Sequence, residues 1–191
     1  MLTNRQLFLL HLGQTSMSPM MLEIVRAEGI YMYGPDGEKY IDLISGVSVS
    51  NTGHSHPKVV EAVKNQADMY MHLMVYGEII QSPQVKYAER LTGILPPVLN
   101  SCYFVNSGSE AVEGALKLAK RFTGRSRIIS FRNSYHGSTH GALSIQGSEL
   151  YRNAFRPLLP DTYQVLFNDE KSLDAIDSKT CLLYTSDAAD E

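Results

Sequence analysis

Residues 103–125 read YFVNSGSEAVEGALKLAKRFTGR, and this stretch decides the class of fold. The apolar run 101–105 predicts a short strand, and residues 110–122 predict an amphipathic helix. The run 127–131, RIISF, predicts the next strand. Because strand, helix and strand at this spacing form a βαβ unit, we predict an α/β fold with a parallel sheet.

The helix predicted over residues 110–122 has an apolar stripe that we expect to be buried. Glu113 precedes Lys117 by four residues, which predicts a stabilising pair on the helix surface. Residues 163–167 predict a third strand, whereas residues 137–147 are compatible with a helix or a loop. The stripe comprises Ala111, Ala115, Leu118, Ala119 and Phe122.

Upstream, residues 29–43, GIYMYGPDGEKYIDL, predict a β-hairpin with its turn at residues 34–37. Two amphipathic helices are predicted next, over residues 58–74 and 83–95, each with an apolar stripe. Ser82 is a suitable N-cap for the second helix, with proline at its first helical position.

Composition narrows the class of protein. The chain has 191 residues, of which 43% are hydrophobic and 19% charged, as expected for a globular protein. A net charge of -3 argues against general affinity for nucleic acid or anionic membranes. Cys102 and Cys181 form no CxxC pair, and no apolar stretch approaches a membrane span or a signal sequence. We therefore expect a cytoplasmic protein.

The turn between the strand at 101–105 and the helix that follows is a candidate phosphate site. It directs backbone N–H groups and the positive end of the helix towards one point. Ser107 and Ser109 offer hydroxyl groups, and Gly108 permits close approach to the backbone. An ordinary turn with Ser109 as N-cap explains the same residues. The sequence contains neither GxGxxG nor GxxxxGK[ST], so a dinucleotide or nucleoside triphosphate has little support.

A second candidate segment is NSYHGST, residues 133–139. It follows the predicted strand 127–131, and ligands of parallel sheets bind at the carboxyl ends of strands. Tyr135 offers an aromatic face that could stack on a flat heterocycle. A loop with an exposed tyrosine and histidine is the alternative.

Histidines suggest a third possibility, a metal-dependent hydrolase. His54 and His56 form an HxH pair, and His136 and His140 are four residues apart. No carboxylate accompanies them in a ligand-like pattern, so we expect no metal site.

Three stretches together resemble the class III aminotransferases of the ornithine, acetylornithine and 4-aminobutyrate type. They are GIYMYGPDGEKYIDLISGVSVSNTGHSHPKVVEAV (29–63), YFVNSGSEAVEGALKLAKRFTGR (103–125) and FRNSYHGSTHGALSIQG (131–147). The resemblance implies an α/β fold of fold-type I, the fold of enzymes that depend on pyridoxal 5'-phosphate (PLP). The chain would hold a small N-terminal α+β segment over residues 1–57 and the start of the large PLP domain over residues 58–180.

The resemblance also implies roles for individual residues. It implies that the cofactor phosphate is bound by Ser107, Gly108 and Ser109. Tyr135 would stack on the pyridine ring, with His136 and Gly137 forming the adjoining wall. The residues implied on the substrate side are Ser45, Gly46, Val47 and Tyr76, whereas Glu110 is interpreted as structural because a carboxylate complements the helix dipole.

The family's Schiff-base lysine and the aspartate at the pyridine nitrogen would lie beyond residue 180. Residues 181–191, CLLYTSDAADE, have no evident counterpart in the family, so we interpret them as a non-native tail outside the fold. We expect the chain alone to be inactive.

The resemblance implies transamination from an amino acid or ω-amine donor to a 2-oxo acid, in a homodimer. Another fold-type I enzyme (an aminomutase, epimerase or decarboxylase) and a non-catalytic PLP-binding module remain alternatives. The N-terminal motifs hold the cofactor, so they do not identify the donor.

Overall fold

The computed structural model of the protein describes residues 1–74 and 77–185. Contacts divide the chain into two compact units, Met1–Ile79 and Ile80–Glu191. The domain boundary predicted after residue 57 concerns the full-length fold and stays a prediction. None of the helices in the described part of the chain has the length and hydrophobicity that a transmembrane segment needs.

The first unit is built around a three-stranded antiparallel sheet in the order β1-β2-β3. The predicted hairpin is confirmed, since Tyr31 of β2 pairs with Ile41 of β3. Strand β1 was not predicted, and its Arg26 pairs with Tyr33 on the other edge of β2. The elements of this unit are α1 (Asn4–His11), β1 (Arg26–Glu28), β2 (Tyr31–Tyr33), β3 (Lys39–Ile41), the single turn α2 (Ser45–Ser48) and α3 (Pro57–Met69).

The second unit contains a parallel sheet in the order β5-β4-β6, which confirms the predicted sheet type. Its helix α4 begins at Ser82 with Gln81 as N-cap, so the prediction of Ser82 as N-cap was wrong by one residue. The elements are α4 (Ser82–Ile94), α5 (Gly108–Thr123), β4 (Arg127–Phe131), α6 (His140–Ile145), α7 (Glu149–Arg152), β5 (Thr162–Val165) and β6 (Thr180–Leu183), with 3-10 turns at Asn153–Phe155 and Glu170–Ala175.

The core of the second unit lies between β4 and two helices. It comprises Val112 and Leu116 of α5, Ile128 of β4, and Ala142 and Ile145 of α6. The predicted buried stripe of α5 was therefore wrong. Leu118 is 69% exposed and Phe122 is 88% exposed. Helix α5 carries apolar residues on more than one face, and periodicity alone does not say which face meets the sheet.

The apolar stripes predicted for the two earlier helices are also not buried. Val59 and Val63 of α3 are exposed, as is Val85 of α4. The helical periodicity predicted the conformation of these segments except at residues 70–74, because α3 ends at Met69, and it did not predict packing within this chain.

The strand predicted at residues 101–105 is absent. These residues pair with no strand among those that the structure describes, and the neighbours of β4 are β5 and β6. Tyr103 is 76% exposed, and Phe104 instead stacks on Tyr87 with ring centroids 5.6 Å apart. An apolar run adopts a strand only where a ladder partner is present.

The exclusion of residues 181–191 from the fold was wrong for Cys181, Leu182 and Leu183. These residues belong to β6, in which Leu182 pairs with Ile128 and Leu183 with Ile129. The Tyr184 N–H extends the pairing by donating to the Ile129 carbonyl oxygen at 2.8 Å. The non-native origin of residues 181–191 stays a prediction, since strand pairing tests conformation and not origin.

Candidate functional site

Helix α5 begins at the predicted phosphate cradle, which we define as residues Ser107, Gly108 and Ser109. Ser107, and not Ser109, is the N-cap, and its Oγ accepts a hydrogen bond from the Glu110 N–H at 3.2 Å. The Glu110 carboxylate in turn accepts from the Asn106 N–H at 2.6 Å. Glu110 therefore stabilises the start of the helix, as expected for a structural residue.

Two N–H groups at this helix end are available to a ligand. Among residues 1–74 and 77–185, neither the Gly108 N–H nor the Ser109 N–H donates a hydrogen bond. A Cβ atom on Gly108 would meet nothing within 4 Å, so the space around this backbone is open. Unpaired N–H groups at the positive end of a helix favour an anion.

The second predicted segment, which we call the wall (Tyr135, His136 and Gly137), contacts the cradle. A Cβ atom on Gly137 would stand 2.9 Å from the Ser109 Cβ and 3.1 Å from the Ser109 Cα. Gly137 has a φ of 116°, which disfavours residues with a Cβ. The structure thus brings together two segments that are separated in the sequence by the whole of α5 and β4.

The two aromatic side chains of the wall differ in exposure. Tyr135 is 42% exposed, and its hydroxyl lies 3.2 Å from the Ser138 Oγ. His136 is only 4% exposed, and its ring packs edge-to-face against Tyr184 with centroids 4.9 Å apart. Tyr135 therefore presents a ring to solvent, while His136 is part of the packed interior.

Glu113 differs from its expected role as the partner of Lys117. No ion pair joins them among the described residues. Instead, the Glu113 Oε1 accepts hydrogen bonds from the Gly141 N–H at 2.7 Å and the Ala142 N–H at 3.2 Å. Sequence spacing along α5 gave no signal of this contact, because its partners lie on another helix.

The substrate-side residues Ser45, Gly46 and Val47 lie in α2, within the first unit. Their φ angles are 55°, 63° and 62°, so α2 is a left-handed turn. This backbone conformation is costly for residues that carry a Cβ, and most costly for a β-branched valine. Neighbouring hydrogen bonds must therefore hold the turn.

Asp42 supplies those hydrogen bonds. Its Oδ1 accepts from the Ser45 N–H at 2.8 Å and the Ile44 N–H at 3.0 Å. Its Oδ2 lies 2.7 Å from the His54 Nε2. The hydrogen bond from the Ser45 N–H, followed by that from His54, lowers the pKa of Asp42 below its ordinary value of 3.8. Sequence reasoning missed Asp42, because its short-range bonds leave no periodic pattern.

His54 is held in place by its backbone as well as by its ring. The His54 N–H donates to the Gly29 carbonyl oxygen at 2.7 Å, and the Gly29 N–H donates to the His54 carbonyl oxygen at 3.0 Å. Asp42, His54 and α2 therefore form one connected structure at the end of the hairpin.

A comparison with known protein families shows to which family this chain belongs. The sequence profile described as aminotransferase class-III matches residues 12–187. The chain belongs to the class-III aminotransferase family. The match covers the cradle, the wall and α2. It also extends to residue 187, so the expectation that residues 181–191 have no counterpart in the family was wrong for residues 181–187.

Two curated relatives of this class-III aminotransferase chain illustrate its similarity. The acetylornithine aminotransferase of Methanopyrus kandleri is 40% identical over 173 residues, which are 89% of this chain and 43% of the relative. A putative LysW-aminoadipate semialdehyde/glutamate semialdehyde transaminase of Pyrococcus abyssi is 42% identical over 162 residues, with 83% of this chain and 43% of the relative covered. The chain thus spans less than half the length of these relatives.

Solved structures confirm the predicted fold class, a partial α/β fold of fold-type I. An adenosylmethionine-8-amino-7-oxononanoate aminotransferase from Methanocaldococcus jannaschii has a TM-score of 0.81 at 29% identity, over 94% of this chain and 45% of that one. An ornithine aminotransferase from Toxoplasma gondii, whose structure has PLP at partial occupancy in the active site, has a TM-score of 0.77 at 24% identity. This second likeness covers 93% of this chain and 43% of that one, and it bears on the fold alone.

Three further predictions for this member of the class-III family concern Tyr76 and the histidines. Tyr76 lies outside the described residues, so its role stays a prediction. His54 is engaged with Asp42. Across the ranges 1–74 and 77–185, no group of three or more His, Cys, Asp or Glu side chains could hold a metal ion. The alternative of a histidine-based metal hydrolase has no geometric support in that part of the chain.

Proposed function

We propose that this chain is the cofactor-binding N-terminal part of a PLP-dependent aminotransferase. The observation that carries the proposal concerns the N–H groups of Gly108 and Ser109, which donate no hydrogen bond within the described part of the chain and lie beside a wall that contacts Ser109 through Gly137. This arrangement suits a ligand with a phosphate at one end and a flat ring at the other. Membership in the class-III family supports the same ligand.

The residues of the site would divide the work of holding PLP. Ser107, Gly108 and Ser109 bind the phosphate through N–H and hydroxyl groups at the helix end. Tyr135 stacks on the ring, while His136 and Gly137 form the surface beside it. Bound PLP supplies an electron sink that allows an amino group to move between carbon skeletons. A ring fixed at both its phosphate and its face keeps the reacting carbon in one place.

On the substrate side, Ser45, Gly46 and Val47 would present the left-handed turn of α2 to the amino donor. Such strained turns occur at sites where backbone groups must meet a ligand.

The Schiff-base lysine and the aspartate at the pyridine nitrogen are proposed to lie beyond residue 180. A homodimeric full-length enzyme in the cytoplasm is part of the same proposal, and the absence of a disulfide at Cys102 and Cys181 agrees with that location.

The donor that we propose is a molecule with a distal amine. Names of the relatives support this choice, since one is an acetylornithine aminotransferase and another is named for semialdehyde substrates. A semialdehyde is the product left when a terminal amine is removed. The proposed acceptor is a 2-oxo acid such as 2-oxoglutarate.

The experiment that tests this function follows the amino group. The complete gene product is incubated with PLP, 2-oxoglutarate and an ω-amine donor such as acetylornithine, in which the nitrogen of the distal amine is isotopically labelled. We expect the label in glutamate. Label retained in the donor skeleton would indicate an aminomutase or epimerase, and released carbon dioxide a decarboxylase, and either result would overturn transamination.

A second arm uses the 191-residue chain under the same conditions. We expect it to form no glutamate, because the proposed lysine lies beyond residue 180. Glutamate formation by this chain would show that the lysine has been placed wrongly.

A further inference from the structure

Helix α6 begins directly after the wall, and its first N–H groups are satisfied by a residue of α5. Its N-cap, Thr139, makes no side-chain hydrogen bond to the helix. The Glu113 carboxylate instead accepts from Gly141 and Ala142. The N–H groups of a first helical turn need such a partner, and a carboxylate also complements the helix dipole.

The contact between Glu113 and Gly141 requires a glycine. A Cβ atom on Gly141 would stand 2.7 Å from the Glu113 Cδ, which is closer than side chains approach. Gly141 is buried, and so are all the residues from Gly141 to Ile145. The Glu113 carboxylate therefore lies directly against the α6 backbone. A shorter or longer side chain at position 113 would alter the position of α6.

Two such glycine contacts join the same pair of segments. Ser109 contacts Gly137 at the wall, and Glu113 contacts Gly141 at the start of α6. Ser109 and Glu113 are four residues apart on α5, so they lie on one face of that helix in successive turns. Both contacts therefore fix the segment from Gly137 to Gly141 against the helix that begins with the cradle.

We propose that Glu113 is a positioning residue, which holds the wall against the phosphate cradle by capping α6. This inference rests on the proposed function, because it assigns a ligand-binding purpose to the wall. Glu113 would touch neither the phosphate nor the ring. It acts through α6 and through the segment that leads to Tyr135.

Two substitutions distinguish the effect of the length of the Glu113 side chain from the effect of its negative charge. Glu113→Gln removes the charge but keeps an acceptor oxygen at the same reach. Glu113→Asp keeps the charge but is too short to reach the Gly141 N–H. If Glu113 acts by position, Glu113→Gln binds PLP nearly as the parent does, and Glu113→Asp binds it roughly tenfold more weakly, as expected for loss of a charge-assisted hydrogen bond. If the negative charge were the important property, the order would be reversed.

The test uses the 191-residue chain and titrates each variant with PLP and, separately, with inorganic phosphate. Phosphate needs only the cradle, whereas PLP needs the cradle and the wall. We expect Glu113→Asp to weaken PLP binding while phosphate binding changes less than twofold. Glu89→Gln is the matched control, since Glu89 is an exposed carboxylate on α4, and it should change neither affinity.

A second readout does not depend on PLP. Hydrogen exchange at the Gly141 and Ala142 N–H groups should accelerate in Glu113→Asp and stay near the parent rate in Glu113→Gln. Equal exchange and equal PLP affinity in both variants would overturn the positioning role. Parent protein that fails to bind PLP, with exchange at Gly141 still dependent on Glu113, would overturn the proposed function and leave Glu113 as a helix cap only.

Discussion

Gly137 packs directly on Ser109, since a Cβ atom added to Gly137 would stand 2.9 Å from the Ser109 Cβ. The contact joins the wall to the cradle without any side chain from the wall. The packing of Gly137 on Ser109 would therefore help to align a phosphate held at the helix end with a ring held by Tyr135. Small residues at both positions are what allow the two segments to meet.

The first prediction concerns Gly137→Ala. The added methyl group overlaps the Ser109 side chain and disfavours the φ of 116°. We expect PLP affinity to fall at least tenfold and stability to fall by about 1–3 kcal/mol, as for overpacked sites. Urea denaturation and PLP titration measure the two effects. Gly124→Ala is the control, because Gly124 also has a positive φ of 67° but open surroundings, so it should lose stability without losing affinity.

The second prediction separates the two serines of the cradle. Ser107 caps α5 through its Oγ, whereas the Ser109 side chain donates or accepts no hydrogen bond among the described residues. Ser107→Ala should lower the free energy of unfolding by about 1 kcal/mol and weaken phosphate binding. Ser109→Ala should weaken phosphate binding with little effect on unfolding. Equal stability losses in the two variants would contradict the assignment of Ser107 as N-cap.

The third prediction concerns pH and Asp42. Hydrogen bonds from Ser45 and His54 lower the Asp42 pKa below 3.8, so the folded state favours the ionised carboxylate. Its contribution to stability is then fully present above pH 3.8 and is lost as the pH falls through the lower folded pKa. Nuclear magnetic resonance titration of the Asp42 carboxyl carbon should give a midpoint below 3.8, and a midpoint at or above that value would refute the prediction.

Removing the Asp42 charge provides an independent check. Asp42→Asn should destabilise the first unit at neutral pH and increase hydrogen exchange at the Ser45 N–H, because that N–H loses a charged acceptor. Asp36→Asn is a matched control in the hairpin turn, where the side chain makes no hydrogen bond among the described residues. It should leave exchange at Ser45 unchanged.

Local chemistry explains which parts of the fold were predictable from sequence. The hairpin was predicted because the turn at residues 34–37 combines glycine, proline and aspartate between apolar runs. Strand β4 was predicted because RIISF is short, apolar and rich in isoleucine. The turn that precedes α5 was predicted because small polar residues separate an apolar run from a helix, whereas its role as a phosphate cradle stays a prediction. Each of these signals acts over a few neighbouring residues.

The errors have a common physical cause, which is that tertiary partners decide them. The run at residues 101–105 has strand composition but no ladder partner among the described residues. Helix α5 buries Val112 and Leu116, while Phe122 on its predicted face stays exposed, because β4 and α6 meet a different side. Spacing along one helix could not reveal contacts made by another.

The site shows the same division between local and distant signals. Ser107 and Tyr135 were predicted from their own surroundings. Asp42 and Glu113 were missed as site-supporting residues, since their partners are set by the hairpin and by α6. Buried or half-buried carboxylates that cap a neighbouring segment have no sequence period, so only a structure reveals them.

A phosphate site at the start of α5 is tested by comparing the binding of PLP with that of pyridoxal, which lacks the phosphate. The purified chain is titrated with each compound, and inorganic phosphate is added as a competitor. We expect PLP to bind at least tenfold more tightly than pyridoxal, phosphate to compete with PLP, and Ser109→Ala to reduce the difference between the two affinities. Equal affinity for the two compounds, with no competition by phosphate, would contradict a phosphate site at the start of α5.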